Sequence, residues 1–256
     1  MPTTNLHFLN NVSAPTANQI LIFLQPTVAL ENYNFYAWQV LNPSIGSTQM
    51  AVLTNNFSGS IATFGDSKGN YSRPVALPLG VPLLVTNPNN QSPVIGVPDT
   101  SNKQVPAGAV GLENQAVTPP TDLSVKWYVN NNLVVETNNT VTTTLNPGFT
   151  STFQLKQSIY CMLAQPPTQT STYTLQTFSL MSEFSVPSQA TDLYFEAYTN
   201  ASGIDTFQQM SQADFQKAEQ NALSAVRSLS AATQSLRREI SALKASRQSP
   251  VAAAGA

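Results

Sequence analysis

Catalysis starts from groups that move a proton, attack a carbonyl or hold a metal, and this sequence supplies few of them. It has one histidine, His7, and one cysteine, Cys161. His7 sits in LHFLNN among apolar neighbours. That setting suits a packed or surface strand residue better than a general base, which must converge with other groups. Cys161 sits in IYCML. A reactive thiol needs a base and an electropositive setting, so Cys161 reads as a small core residue. One His and one Cys cannot build the usual zinc sites, and a single Cys permits no intrachain disulfide. The carboxylates of residues 1–204 (Glu31, Asp66, Asp99, Glu113, Asp122, Glu136, Glu183, Asp192 and Glu196) are scattered singly. Their spacing therefore defines no acid–base pair of the glycosidase kind. GDSKGN at 65–70 lacks the second acidic ligand and the closing Glu of a calcium loop. GAVG at 108–111 lacks the Gly-Lys and the helix of a phosphate loop. We therefore expect no catalytic residue, no cofactor and no metal.

Aromatic side chains are the remaining route to a ligand. YNFYAW and Trp127-Tyr128 could stack on sugar rings, as exposed rings do in β-sandwich lectins. Strand aromatics are more often core or cross-strand pairs. Both readings stay open, so carbohydrate remains a candidate partner. Nucleic acid does not, because a net charge of −2 offers no basic field.

The elements that hold these residues read as β throughout the first 204 positions. NQILIFLQ (18–25) is a short apolar run, typical of a strand buried on both faces. Leu6–Leu9, the aromatic-rich and loosely alternating Tyr33–Val40, Thr48–Thr54 and Ser58–Phe64 are expected as further strands. Asn130-Asn131-Asn132 tolerates positive φ and predicts a tight hairpin between Leu123–Val129 and Leu133–Glu136. Thr140–Leu145, Ser151–Lys156, Ser158–Leu163, Ser171–Phe178 and Asp192–Tyr198 complete the set. Residues 74–121 form a Pro-rich insertion in which Val81–Thr86 and Val94–Val97 are expected as edge strands. Residues 99–121 read as a long exposed connection, either mobile or ordered by a neighbour. Short strands at regular spacing predict an antiparallel β-sandwich or jelly-roll-like body over residues 1–204.

Residues 205–248 break the pattern. Phe215, Ala222, Leu229, Leu236 and Leu243 recur every seven residues, and Val226, Thr233 and Ile240 fall between them at heptad spacing. Ser211 is a plausible N-cap with Asp214 as its box partner. A helix over Ser211–Arg247 would span roughly 55 Å, longer than the ~45 Å diameter implied by a ~16 Å radius of gyration for the body. The seam therefore either docks on its own sandwich or overhangs to meet another subunit. β-branched residues alternating with Leu favour a parallel two-stranded coil if the helix meets a copy of itself. Residues 249–256 read as a loose tail.

Only 9% of residues are charged, far below the usual ~25%. The deficit leaves little repulsion against self-association. The opening MPTTNLHFLNNV lacks the basic and apolar regions of a secretory leader, and no apolar run reaches the ~18 residues of a membrane span. A cytoplasmic setting is the default expectation, with leaderless export as the other route.

LHFLNNVSAPTANQILIFLQPTV followed by NYNFYAW resembles the opening of RhiA-like proteins, rhizosphere-expressed bacterial proteins with homologues of unknown function. The shared pattern is a strand ending in Asn-Asn, a strand ending in Phe-x-Gln, then an aromatic strand with Ala37-Trp38. LSVKWYVNNNLVV is similar to a later strand-turn-strand of that family. The resemblance covers residues 5–40 and 123–136 and leaves out the helix. It implies a β-sandwich and adds no ligand or catalytic residue. Together these features predict a non-enzymatic structural protein whose partners are copies of itself, in a filament, a shell or another homo-oligomer. A lectin-like binding module is the alternative.

Overall fold

A computed structural model describes residues 3–13, 19–29, 33–63, 71–87, 92–98, 105–115, 122–137, 145–164 and 171–248. In chain order its strands begin with β1 (Thr4–Asn11), β2 (Gln19–Pro26), β3 (Asn34–Phe35), β4 (Gln39–Leu41), β5 (Thr48–Leu53) and β6 (Phe57–Thr63). The middle of the chain gives β7 (Val75–Ala76), β8 (Pro82–Thr86), β9 (Val94–Pro98), β10 (Val110–Asn114), β11 (Leu123–Val129) and β12 (Asn132–Glu136). β13 (Thr150–Phe153), β14 (Leu155–Ala164), β15 (Ser182–Ser185), β16 (Asp192–Thr199) and β17 (Asp205–Met210) follow, and α1 (Gln212–Gln248) closes the chain. The protein is mainly β with one long C-terminal helix, as its strand spacing and heptads predict.

The strands form four sheets. Sheet I has the order β17-β16-β1-β5 and sheet II the order β15-β14-β2-β4. Sheet III runs β3-β12-β11-β6-β7 and sheet IV runs β13-β10-β8-β9. Sheets I and II are built from the two ends of the chain, and sheets III and IV chiefly from its middle. Aromatic rings join them. Phe184 of sheet II meets Phe195 of sheet I at 5.1 Å between centroids. Trp127 of sheet III stacks on Phe153 of sheet IV at 5.4 Å. A six-residue 3-10 helix, Leu175–Leu180, plugs the junction of sheets II and III. Its Phe178 ring touches Phe23, Phe35 and Tyr160 edge-on. One continuous apolar core results.

Among the described residues two pairings are parallel: β1 with β16, and β8 with β10. A parallel pair needs a long crossover. For β1 and β16 the intervening chain is nearly the whole body, so no crossover helix is required.

Several local expectations change. Tyr33–Val40 is split into β3 and β4, which pair with different sheets. Trp38 between them is buried and donates its indole N–H to the Val129 carbonyl at 3.0 Å, fixing the bend. β8 lies inside sheet IV, between β10 and β9. Its Pro82 is the first strand residue, where a missing N–H is tolerated. Residues 99–121 contain the wholly buried strand β10, so that part is neither exposed nor a connection. Ser171–Phe178 contributes a single bridge, Tyr173 to Phe35, before the 3-10 helix. Residues 205–210 form β17, antiparallel to β16, so the helical element starts after it. The Asn130-Asn131 turn has φ of 51° and 64° and closes the expected hairpin. Of Thr140–Leu145, only Leu145 lies among the described residues.

Candidate assembly interface

The candidate interface starts at the outer face of sheet I, where α1 docks. Along β1 the side chains of Leu6 and Phe8 enter the core, while His7 and Leu9 face outward. Leu9 is an apolar residue on the outer face, and it is fully buried because α1 covers it. Phe215 and Ala222, each 5% exposed, pack with Leu9 beside Tyr194, Met210 and Ala218. The Tyr194 ring lies 5.1 Å from the Phe215 ring and stacks on His7 at 4.8 Å. His7 is therefore a packed strand residue under the start of the helix. Its Nε2 lies 2.9 Å from Asp192 Oδ1. This contact, with a hydrogen bond from Asn5, holds the Asp192 carboxyl below its usual range.

Capping and a close approach position the helix. The Ser211 hydroxyl accepts the Asp214 backbone N–H at 3.2 Å and donates to the Asp214 carboxylate at 2.6 Å. This fixes the first turn, and Asp214 also complements the helix dipole. Farther along, α1 passes the turn at Gly46. A Cβ there would come 2.9 Å from Val226 Cγ2 and 3.3 Å from the Ala222 carbonyl oxygen. Gly46 also has φ +75°, so glycine serves both the turn and the contact.

Beyond Gly46 the helix leaves the body. Every described side chain from Leu223 to Lys244 is exposed. Leu229 is 68% exposed, Leu236 58%, Ile240 50% and Leu243 62%. Thr233 spends its hydroxyl on the Leu229 carbonyl at 2.8 Å, leaving its methyl as its apolar contribution to the stripe. The eight seam residues thus divide. Phe215 and Ala222 dock inside the chain, Val226 marks the edge, and Leu229, Thr233, Leu236, Ile240 and Leu243 form an exposed apolar line. Sequence reasoning named the heptad positions but missed Leu9, Tyr194 and Gly46, against which the first part of the helix docks. Leu9, one apolar residue out of step with the β1 alternation, was the available signal.

Among the described residues, the other candidate groups do not converge on a reactive centre. Cys161 is buried in β14, and burial pushes its thiol pKa well up. Among the described residues no three His, Cys, Asp or Glu side chains gather as metal ligands would. Trp38 and Trp127 are buried, so neither ring is a platform for a sugar. A cleft of about 520 Å³ is lined by Tyr36–Val40, Asn132 and Leu133. No helix among the described residues is long and apolar enough to cross a membrane. Fold and site together define a mainly β protein carrying a protruding amphipathic helix. Compared with protein-family models, curated proteins and solved structures, the chain matches none.

Proposed function

We propose that this is a non-enzymatic structural protein that self-associates into a homo-oligomer or filament through its C-terminal helix and charge-poor β-body. The observation that carries this reading is the exposed heptad line from Leu229 to Leu243 on a helix that overhangs its own body. Large apolar side chains repeated along one helix face are costly to leave in water and mark a contact surface. The low charge lowers the repulsion between copies. The likeness of residues 5–40 and 123–136 to RhiA-like proteins is proposed as kinship of the β-body and supplies no activity.

Light scattering during size exclusion, together with negative-stain microscopy, tests the reading. Assemblies larger than one chain are expected, reverting to one chain when residues 225–256 are deleted. A monodisperse single chain at high concentration would sink the proposal. An unchanged oligomer after the deletion would move the contact to the β-body. A carbohydrate-binding module is the second reading, favoured by the cleft beside the half-buried Tyr36. Binding on a glycan array that is lost in Tyr36→Ala would support it.

A further inference from the structure

We infer that the protein binds a neutral saccharide of one or two rings in a second cleft, where sheets II, III and IV converge. The site is distinct from the cleft beside Tyr36 and does not depend on self-association. The cleft holds about 430 Å³, a volume within the ~300–1,000 Å³ of small-molecule sites. Its lining comes from segments far apart in sequence. Thr27 follows β2, and Gln154 lies between β13 and β14. Gln157 belongs to the start of β14, and Ser188 follows β15. Phe57 of β6 and Leu155 of β14 supply the buried apolar part.

A break in the β-ladder shapes the cleft. Leu155 pairs with Pro26 and Ile159 with Leu24, so Lys156, Gln157 and Ser158 oppose the single residue Gln25. The two extra residues make a bulge, a device that re-aims side chains. Pro26 has no N–H to offer there, and Thr27 donates its N–H to the Gln154 carbonyl at 2.7 Å. Hydrogen bonds hold the bulge. Val186 donates its N–H to the Gln157 carbonyl at 2.9 Å. Lys156 Nζ donates to Glu183 at 2.7 Å and to the Tyr160 phenol at 2.6 Å, and that phenol donates to the Gln25 side-chain oxygen at 2.7 Å. A frame fixed in this way presents its polar side chains without ordering the backbone anew on binding.

The chemistry of the lining selects the ligand. The Gln154 and Gln157 amides and the Thr27 and Ser188 hydroxyls have no hydrogen-bond partner among the described residues. An amide offers a donor and an acceptor side by side, and a hydroxyl offers both on one atom. Vicinal hydroxyls of a sugar ring present the same alternation, and the ring's C–H face suits the apolar part of the lining. Lys156 is the charged residue of the described lining, and the Glu183 carboxylate at 2.7 Å balances it. An anionic ligand therefore finds no uncompensated cation. The one aromatic ring of that lining, Phe57, is only 3% exposed, so the cleft has no flat slot for a nucleobase. A neutral saccharide uses the amides, the hydroxyls and the apolar part together.

Saturation-transfer NMR on the full-length protein tests this, because it reads the sugar and tolerates assemblies of any size. The probes are glucose, galactose, mannose, N-acetylglucosamine and their disaccharides, with glucuronate and sialic acid as charged counterparts. Saturable binding of at least one neutral probe is expected. Gln154→Ala and Gln157→Ala are each expected to weaken it about fivefold to tenfold, the worth of one lost hydrogen bond. Neither glutamine is buried, so both variants are expected to fold, which circular dichroism checks. Gln39→Ala, in the cleft beside Tyr36, should leave binding unchanged. Binding that survives both substitutions, or that is lost in Gln39→Ala, would overturn this site. Binding confined to the charged probes would overturn the neutral class, and no binding by any probe would overturn the inference altogether. A single chain in light scattering would defeat the self-association reading and leave this inference standing.

Discussion

Glu136 shows what single residues contribute to the body. It is nearly buried, and it accepts hydrogen bonds from the phenols of Tyr36 at 2.6 Å and Tyr71 at 2.7 Å. Lys126 Nζ lies 3.6 Å from the same carboxylate and 3.9 Å over the Tyr71 ring. Burial, then the hydrogen bond to Glu136, drives both phenol pKa values far above their usual range. Burial also raises those of Tyr33 and Tyr160. The unfolded chain releases such protons near pH ~10 while the folded chain retains them. The unfolded state then gains on the folded one as pH rises, so stability present below pH ~10 is lost above it. The urea midpoint is expected to fall above about pH 10, with tyrosinate absorbance from these residues appearing together with unfolding. Phenols that all ionise while the fold stays intact would contradict this. Gly111 makes a second case. A Cβ on it would lie 2.7 Å from Val105 Cγ1 and 3.2 Å from Pro82 Cβ, inside a buried strand. Gly111→Ala is expected to cost about 1–3 kcal/mol by overpacking, measured by urea unfolding. The sequence conceals this position, because Gly111 and Glu113 interrupt the apolar pattern by which a buried strand is recognised. Glu113 is fully buried and accepts the Gln115 side-chain amide at 2.6 Å.

At the scale of elements, what could be read depended on whether the signal was local. NQILIFLQ, LSVKWYV and the Asn130-Asn131 turn carry their own periodicity or backbone preference, and each forms the expected element. Tyr33–Val40 also looks like a strand locally. Its fate is decided by two different partners, β12, which lies far from it in sequence, and β2, the strand just before it. β10 and β17 are likewise strands by virtue of their neighbours: β10 is enclosed by β13 and β8, and β17 extends β16. The heptad seam was legible because a repeat is local. Which part of it docks was not, because docking depends on Leu9, Tyr194 and Met210. The dock makes a separable prediction. Phe215→Ala removes the largest side chain holding α1 to sheet I while leaving the main core untouched. Amide hydrogen exchange is expected to quicken across the first turns of α1 and to stay unchanged in β2 and β14. Equal acceleration in both regions would mean that the helix is integral to the body.

At the scale of the whole molecule, the proposed self-association would make contact and folding of the overhang one process. Within a single chain the stretch from Leu223 to Lys244 is exposed throughout, so its helicity rests mainly on intrinsic propensity. Helices of this length are only modestly stable in water without packing. Hydroxyls at Ser224, Ser228, Thr233 and Ser241 bond back to carbonyls four residues earlier, which weakens the helix slightly. In the proposed assembly, a second copy over the Leu229–Leu243 line would supply the missing burial. With 9% of residues charged, that burial rather than ion pairing would dominate the proposed association, which is then expected to persist in high salt. Dilution should then melt part of α1. Ellipticity at 222 nm is expected to decline with dilution in step with dissociation measured by sedimentation. The β signal should stay constant, because sheets I–IV retain their core in the single chain. If helicity held constant through dissociation, the overhang would be a rod that stands alone, and its exposed leucines would need another explanation. If instead the two curves coincide, the apolar line is what the second copy covers, and the overhang is ordered by the contact it makes.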